Sequence, residues 1–484
     1  MKFHKLNSRM KKIVLSILVV ATLSSCSIYQ KYSRPAEVST DNLYGKVESQ
    51  DTTTIADISW RSFFTDKHLQ GYIEQGLKNN VDMKLAVERI RQNRAALQAA
   101  KLSFAPSFGF APSFSTESSK AYNPTRIAYS VPITASWEID ILGRQLNRKR
   151  SAEAALEQSK LYHRSVQTAL IAEIADSYYR LLMLDAQMRV SRSTAASWKE
   201  NVRTMKAMKE AGMTNEASIS QTEANSCSID ASLFDLEYKI AAAENNFALL
   251  LGTTPQHFER GELNGEDLKG EMLMGVPAQL LSRRPDVQQA EYELQLAFYN
   301  TNIARADLYP SLTLTGEGGW EKTLANPASL FFSFAAKLFQ PIFQGGKLRA
   351  NLRIAESRQR EALLAFQHKL LEAGNEVNTA LALCRSARSK TEIRIRQVKT
   401  LESAVYSTRQ LMSHSEATYL EVLTAQQSQL SARLLQITDR FEGIQGMISL
   451  YRALGGGSEE PVVPEDKCCK KRCNKSKSKK QNKK

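Results

Sequence analysis

Two runs of apolar residues keep a four-three spacing far longer than a globular helix needs. One is Leu430, Leu434, Ile437, Phe441, Ile444, Ile448 and Tyr451; the other is Ile229, Leu233, Leu236, Ile240, Ala243, Phe247 and Leu250. Sustained alternation of this kind predicts coiled-coil seams on long helices. The helical pattern extends over about 144–190 and 192–251, and again over about 347–388 and 391–454. Roughly 60 residues at 1.5 Å rise make about 90 Å, a length that suits a rod or a tube. A second pattern, of period two, lies before each helical stretch. Ile127, Tyr129, Val131, Ile133, Ala135, Trp137 and Ile139 alternate with Ala128, Ser130, Pro132, Thr134, Ser136 and Glu138. Phe104, Phe108, Phe110 and Phe114 share one parity, Leu312 and Leu314 another, and Leu330, Phe332, Phe334, Ala336 and Leu338 a fourth. These four sets predict strands with one apolar and one small or polar face, the lipid-out and lumen-in pattern of a membrane barrel.

The landmarks recur. Ala105-Pro106-Ser107-Phe108 returns as Tyr309-Pro310-Ser311-Leu312, and Asn80-Val81-Asp82 as Arg284-Pro285-Asp286, both 204 residues on. Leu142-Gly143-Arg144 returns as Gly345-Gly346-Lys347, and Leu250-Leu251-Gly252 as Ala453-Leu454-Gly455, both at 203. A constant spacing over this distance predicts a tandem duplication. Repeat 1 is placed at 59–252 and repeat 2 at 277–457, with a linker at 253–276. Each repeat reads as a helix (Asp82–Ser103, Asp286–Leu308), a β-hairpin (about 104–140, 310–343) and a long helix pair. The two seams do not superpose under the offset. Phe234, Tyr238 and Ala241 match Ile437, Phe441 and Ile444, so the repeat-1 helix carries two apolar stripes, as a helix packed on both flanks would.

Charge changes the picture only at the ends. The formal charge is +15 over 484 residues. Residues 1–25 hold five Lys or Arg and 467–484 hold ten, with no acid in either, which leaves 26–466 neutral. A neutral body has no basic surplus for phosphate neutralisation, so nucleic acid is not an expected partner. The first basic stretch precedes a short apolar run, Ile13 to Ala21, in the layout of a secretory signal. It closes on Leu23-Ser24-Ser25-Cys26, which resembles a bacterial lipobox, although a plain signal peptide would share most of the pattern. Cys26 is the expected lipidation site, Ser27 after it suits sorting to the outer membrane, and 26–58 follow as an extended lipidated segment. Cys227 and Cys384 stand alone in helices and read as buried small hydrophobes. Cys468, Cys469 and Cys473 lie in the basic tail, 458–484, whose spacing fits no standard zinc site; a solvated, disordered tail is expected.

Four strands cannot close a barrel. Their edges would hold unpaired amides against hydrocarbon at several kcal/mol each. Three copies supply twelve strands, wide enough for a lumen. The expected fold is therefore mainly α with a membrane β-barrel: a trimer with a 12-stranded barrel continued by a coiled-coil helical barrel in the periplasm.

Several stretches strengthen this reading. They are Trp60-Arg61-Ser62-Phe63-Phe64-Thr65-Asp66, Trp137-Glu138-Ile139-Asp140-Ile141-Leu142-Gly143-Arg144, Arg283-Arg284-Pro285-Asp286-Val287, Ala304-Arg305-Ala306-Asp307-Leu308-Tyr309-Pro310, Pro341-Ile342-Phe343-Gln344-Gly345-Gly346 and Leu450-Tyr451-Arg452-Ala453-Leu454-Gly455-Gly456-Gly457. Together they resemble the TolC-like outer-membrane efflux family, in its lipoprotein branch. Gly143, Arg144, Gly345 and Gly346 would form strand-to-helix turns. Ser415 stands where the family often has Gly in its last helix hairpin; Gly212 holds the equivalent place in repeat 1.

The resemblance implies a homotrimeric, passive exit duct in the outer-membrane lipid. A periplasmic adaptor would join it to an inner-membrane pump of the resistance-nodulation-division (RND) type. It implies a gate at the periplasmic helix tips, which the repeat register puts near Leu184–Arg192 and Ala387–Arg396. Arg388, Glu392, Arg394 and Arg396 are the gate candidates there, against the alternative that they form solvated helix faces. An enzyme is not expected: His68, His163, His257, His368 and His414 are scattered, and no HExxH, GxSxG or phosphate loop occurs. No cofactor or resident metal is expected either. The rival reading is a lipid-anchored periplasmic coiled-coil scaffold without a pore, for which four dyad-patterned segments would have no purpose.

Overall fold

The computed structural model describes residues 31–35, 58–119, 122–263, 284–322, 327–414 and 417–457. Cys26, the remainder of the N-terminal segment, most of the linker and the basic tail lie outside them. Short helix α1 (Trp60–Phe63) leads into α2 (Lys67–Asn79) and α3 (Val81–Leu102). Strands β1 (Ser107–Phe110), β2 (Ser113–Ser119) and β3 (Tyr122–Ile139) follow, then α4 (Arg144–Glu210) and α5 (Glu216–Leu251). The order recurs with α6 (Pro285–Ala306), β4 (Ser311–Lys322), β5 (Ser329–Phe339), α7 (Lys347–Ser413) and α8 (Tyr419–Ala453). Helices α4 and α7 are each 67 residues long.

The duplication is visible in how the helices are tied. Asn80 Nδ2 donates to the carbonyl of Leu250 at 3.1 Å, and its Oδ1 caps α3 through Asp82 N at 2.8 Å. At the equivalent place Arg284 Nη1 donates to the carbonyl of Ala453 at 3.0 Å. Leu250 and Ala453 are themselves equivalent, so two different side chains make the same tie.

Contacts divide the chain into two compact units. One comprises the N-terminal residues to 39, 89–159 and 287–370; the other comprises 40–88, 160–286 and 371–484. The first contains the sheet, ordered β1–β3–β4–β5, with β2 also paired to β3. Four strands are expected and five are present among the described residues, because the first is broken at Ala111-Pro112. Proline has no amide to donate, and the ladder to β3 resumes only at Ser113.

The core of the second unit is a cluster around Trp60, Phe63, Phe64, Tyr178, Phe247 and Tyr451. The Phe63 ring stacks on Tyr451 with centroids 4.4 Å apart, and Tyr451 Oη donates to the carbonyl of Ile58 at 2.9 Å. Asp66 caps α2 through His68 N at 2.7 Å and accepts from the Tyr178 hydroxyl. Two of the quoted sequence stretches are thus the two halves of one knot. Cys384 is buried as expected, whereas Cys227 is exposed, on the side of α5 away from its seam.

Within the second unit α4 and α5 form an antiparallel hairpin. Arg192–Glu237 (3.3 Å), Lys199–Asp230 (3.1 Å), Lys206–Glu223 (2.7 Å) and Lys209–Glu216 join them in step. Helices α7 and α8 pair likewise through Lys390–Glu442 (2.8 Å), Arg394–Asp439 (2.9 Å) and Glu402–Arg433 (2.7 Å).

Candidate channel elements

The sheet has two chemically distinct faces, fixed by register. Phe108 and Phe110 oppose Ala135 and Ile133; Trp137, Ile133 and Val131 oppose Leu314, Gly318 and Trp320; and these oppose Ala336, Phe332 and Leu330. All share one face, and Phe332 and Phe334 there are 81% and 79% exposed. Among the described residues nothing covers this apolar face, and Ile133, Trp320, Phe332 and Phe334 on it are exposed. Bare hydrocarbon of this extent in water costs far more than a soluble protein tolerates, so the face requires an apolar surround. The other face carries Ser107, Ser130, Thr134, Ser136, Thr313, Thr315, Glu317, Ser333 and Lys337, a mostly polar lining interrupted on β5 by Phe331 and Phe339. No described helix is long and apolar enough to cross a membrane.

Both sheet edges are open. β1 and β2 together form one edge and β5 the other, and along the path β1/β2, β3, β4, β5 every pairing is antiparallel. The turns from sheet to helix are tight. Gly143, Gly345 and Gly346 hold φ values of 72°, 57° and 80°, which a residue with a β-carbon adopts only with strain. Arg144 bridges Glu138 and, at 3.1 Å, Asp307. Burial opposes its charge, but the two carboxylates outweigh burial and hold the guanidinium above its ordinary value.

The helix tips are not where the repeat register suggested. Helix α4 runs unbroken through Leu184–Arg192, and α7 through Ala387–Arg396. The breaks fall at 211–215, where Gly212 has φ 71° and Asn215 caps α5 through Ser218 N at 3.0 Å, and between Ser413, which ends α7, and Tyr419, which begins α8. The cause is unequal helix length: the first helix of each pair outruns its partner, extending back alongside the strand-proximal helices. The usable signal was Gly212 followed by the N-cap Asn215. Arg388, Glu392, Arg394 and Arg396 therefore sit mid-helix, with Arg394 about 30 Å of helical rise from the end of α7. Arg394 Nε donates to Asp439 Oδ2 at 2.9 Å and Arg394 Nη1 to Gln397 at 2.8 Å, so this residue joins α7 to α8. Arg388, Glu392 and Arg396 are exposed.

The second helix of each hairpin meets different neighbours. On α8, one face packs on α7 so closely that a β-carbon built at Gly446 would lie 2.9 Å from Cys384 Sγ. Its opposite face packs on α4. Gln445 donates to Asp176 (2.7 Å), Gln187 to Thr438 (3.1 Å) and Asn201 to Gln426 (3.0 Å), and Arg180 lies 5.6 Å over the Phe441 ring. Phe441 and Ile444 are 6% and 8% exposed. On α5 the equivalent stripe is left largely uncovered by the described residues: Phe234 and Tyr238 are 71% and 75% exposed. Among the described residues no group of three or more His, Cys, Asp or Glu is placed to hold a metal ion.

The family model "Outer membrane efflux protein" matches residues 72–253 and 276–456. The chain is 28% identical over 457 residues to the "Cation efflux system protein CusC" of Escherichia coli O6:H1, covering 92% of this chain and 99% of that protein. It is 28% identical over 462 residues to the "Probable outer membrane lipoprotein SilC" of Salmonella typhimurium, covering 92% and 98%. A crystal structure of CusC superposes with a TM-score of 0.81 at 27% identity, covering 89% of this chain and all of that one. With the family model spanning both repeats and the fold shared along its length, the chain belongs to the outer membrane efflux protein family.

Proposed function

We propose that three copies of this efflux protein close a single channel, held by a lipid on Cys26, and that the channel is a passive exit duct. A periplasmic adaptor would connect it to an inner-membrane pump of the RND type, which supplies the energy. The observation that carries this reading is a sheet with an outward apolar face and two open edges. Lipid satisfies the face, and β5 of one copy can pair antiparallel with β1/β2 of the next, so the edges vanish only when the ring closes.

The helices support the same arrangement. Inside the chain, α8 of repeat 2 packs on α4 of repeat 1. The same join repeated between copies lays the bare stripe of α5 on α7 of the next copy, where Leu371 and Ile393 are exposed. Such a head-to-tail contact forms a ring if its rotation closes. The gate, in this reading, lies at the hairpin tips around 211–215 and 414–418. No selecting chemistry is asked of the duct, and its cargo is set by the pump.

Purified, lipidated protein reconstituted in a planar bilayer tests the proposal. Ion conductance from a heat-dissociable trimer is expected. A monomer, or a trimer that passes no ions, would sink it and favour the scaffold.

A further inference from the structure

Five residues near the N-terminus, 31–35, lie outside any helix or strand and belong to the sheet-bearing unit. Their contacts are specific. Arg34 forks onto Glu291 of α6, with Nε donating to Oε1 at 2.8 Å and Nη2 to Oε2, and its guanidinium lies 5.9 Å over the Phe366 ring of α7. Phe366 is 1% exposed. Tyr32 sets its ring edge-on to Phe298 of α6 at 5.9 Å, and its hydroxyl is buried without a partner. That burial, with the Glu291 charge, pushes the phenol up to about 12. A segment that merely trailed from a membrane anchor would not leave a hydroxyl in a dry site or form a bidentate ion pair.

Reach adds the second line. Cys26 is six residues before Tyr32, so an extended chain carries it at most about 20 Å from that ring. From Phe298 to the end of α6 at Ala306 is about 12 Å of helical rise, and β4 begins at Ser311. An extended chain from Tyr32 would therefore just reach from its contact on α6 to the base of the repeat-2 strands.

We propose that Tyr32 and Arg34 form a mooring clasp, which fixes the lipid anchor beside β4 and β5 and transmits its pull to α6 and α7. The proposal rests on the lipid-anchor reading of Cys26. It differs from that reading in its demand on length: a free tether tolerates shortening, and a moored one does not.

The test uses full-length protein in outer-membrane preparations, with palmitate labelling as the record of lipidation. Lysyl endopeptidase can cut after Lys31 only when Tyr32–Arg34 leave their sites, and release of peptide 26–31 is followed by mass spectrometry. Arg34→Glu is expected to speed release by about tenfold or more, the scale of losing one charge-assisted fork. Adding Glu291→Arg to it should restore protection. Deleting Ile28–Gln30, which cuts the reach to about 10 Å, should speed release although both partners remain. Inserting six Gly/Ser residues at the same place should not. Equal release from parent and Arg34→Glu, with label present, overturns the clasp alone. Absence of label from the parent overturns the anchor and the mooring together.

Discussion

Helices α5 and α8 occupy equivalent places in the two repeats and carry equivalent apolar stripes, yet one stripe is bare and the other is core. Ile437, Phe441 and Ile444 close against α4, and Phe234, Tyr238 and Ala241 stay exposed among the described residues of their own chain. The stripe is the same kind of surface in both, and the difference is position in the tandem. An interior join has a neighbour on the same chain, whereas the terminal join must borrow one. A duplicated chain thus states its own need for further copies in the exposure of one helix face.

The largest way to break the comparison is Tyr238→Asp. It should abolish the heat-dissociable trimer and all channel conductance while the far-ultraviolet dichroism of the protomer stays unchanged; an intact trimer would show that this face is not the join. The equivalent change in the buried partner acts on folding instead. Phe441→Ala should lower protomer stability by about 3 kcal/mol, read from the denaturant midpoint. Next come the two ties. Arg284→Ala should cost about 2–3 kcal/mol, because Asp286 and Glu376, each bonded to it at 2.7 Å, lose their counter-charge. Asn80→Ala, which strands no charge, should cost about 1 kcal/mol. Equal losses in thermal unfolding would show that the ties are not distinguished by charge.

The smallest effect is a pH dependence. His163 is buried where repeat 2 has Phe366, and burial together with the Arg164 charge holds its pKa below the ordinary value of 6.5. The folded state therefore disfavours the protonated ring. Stability is complete above about pH 6.5 and declines as pH falls below it, until the folded ring also protonates. His163→Phe should flatten that limb of a melting-temperature profile, and an unchanged limb would assign it to other groups.

Much of this plan is legible from residue pattern. The period-two faces follow directly from Ile127 to Ile139, since alternate side chains point to opposite sides of a strand. The duplication follows from landmarks such as Asn80 and Arg284, though not their shared partner, because a carbonyl acceptor leaves no trace in side-chain identity. Tip position is hidden in the sequence because a straight helix offers no internal mark of where its partner begins. Only Gly212 and Asn215 marked the turn, and in repeat 2 the matching positions hold Ser415 and Thr418. The break at Ala111-Pro112 was similarly written in a single proline. The Tyr32–Phe298 and Arg34–Glu291 contacts had no periodic signal, as a segment outside helix and strand docks by individual side chains.

One pair of ion bridges bears on how the hairpins find their proper mates. Lys199–Asp230 and Glu402–Arg433 occupy equivalent positions with their signs exchanged. Both are substantially exposed and contribute little to stability. A nascent chain that crossed its hairpins, α4 with α8 or α7 with α5, would confront Lys199 with Arg433 or Glu402 with Asp230. Like signs thereby bar the wrong marriage between two copies that shared an ancestor. Exchanging Lys199 and Asp230 should leave the melting temperature near the parent's and lower the yield of correctly refolded trimer; an undiminished yield would deny these four residues that sorting role.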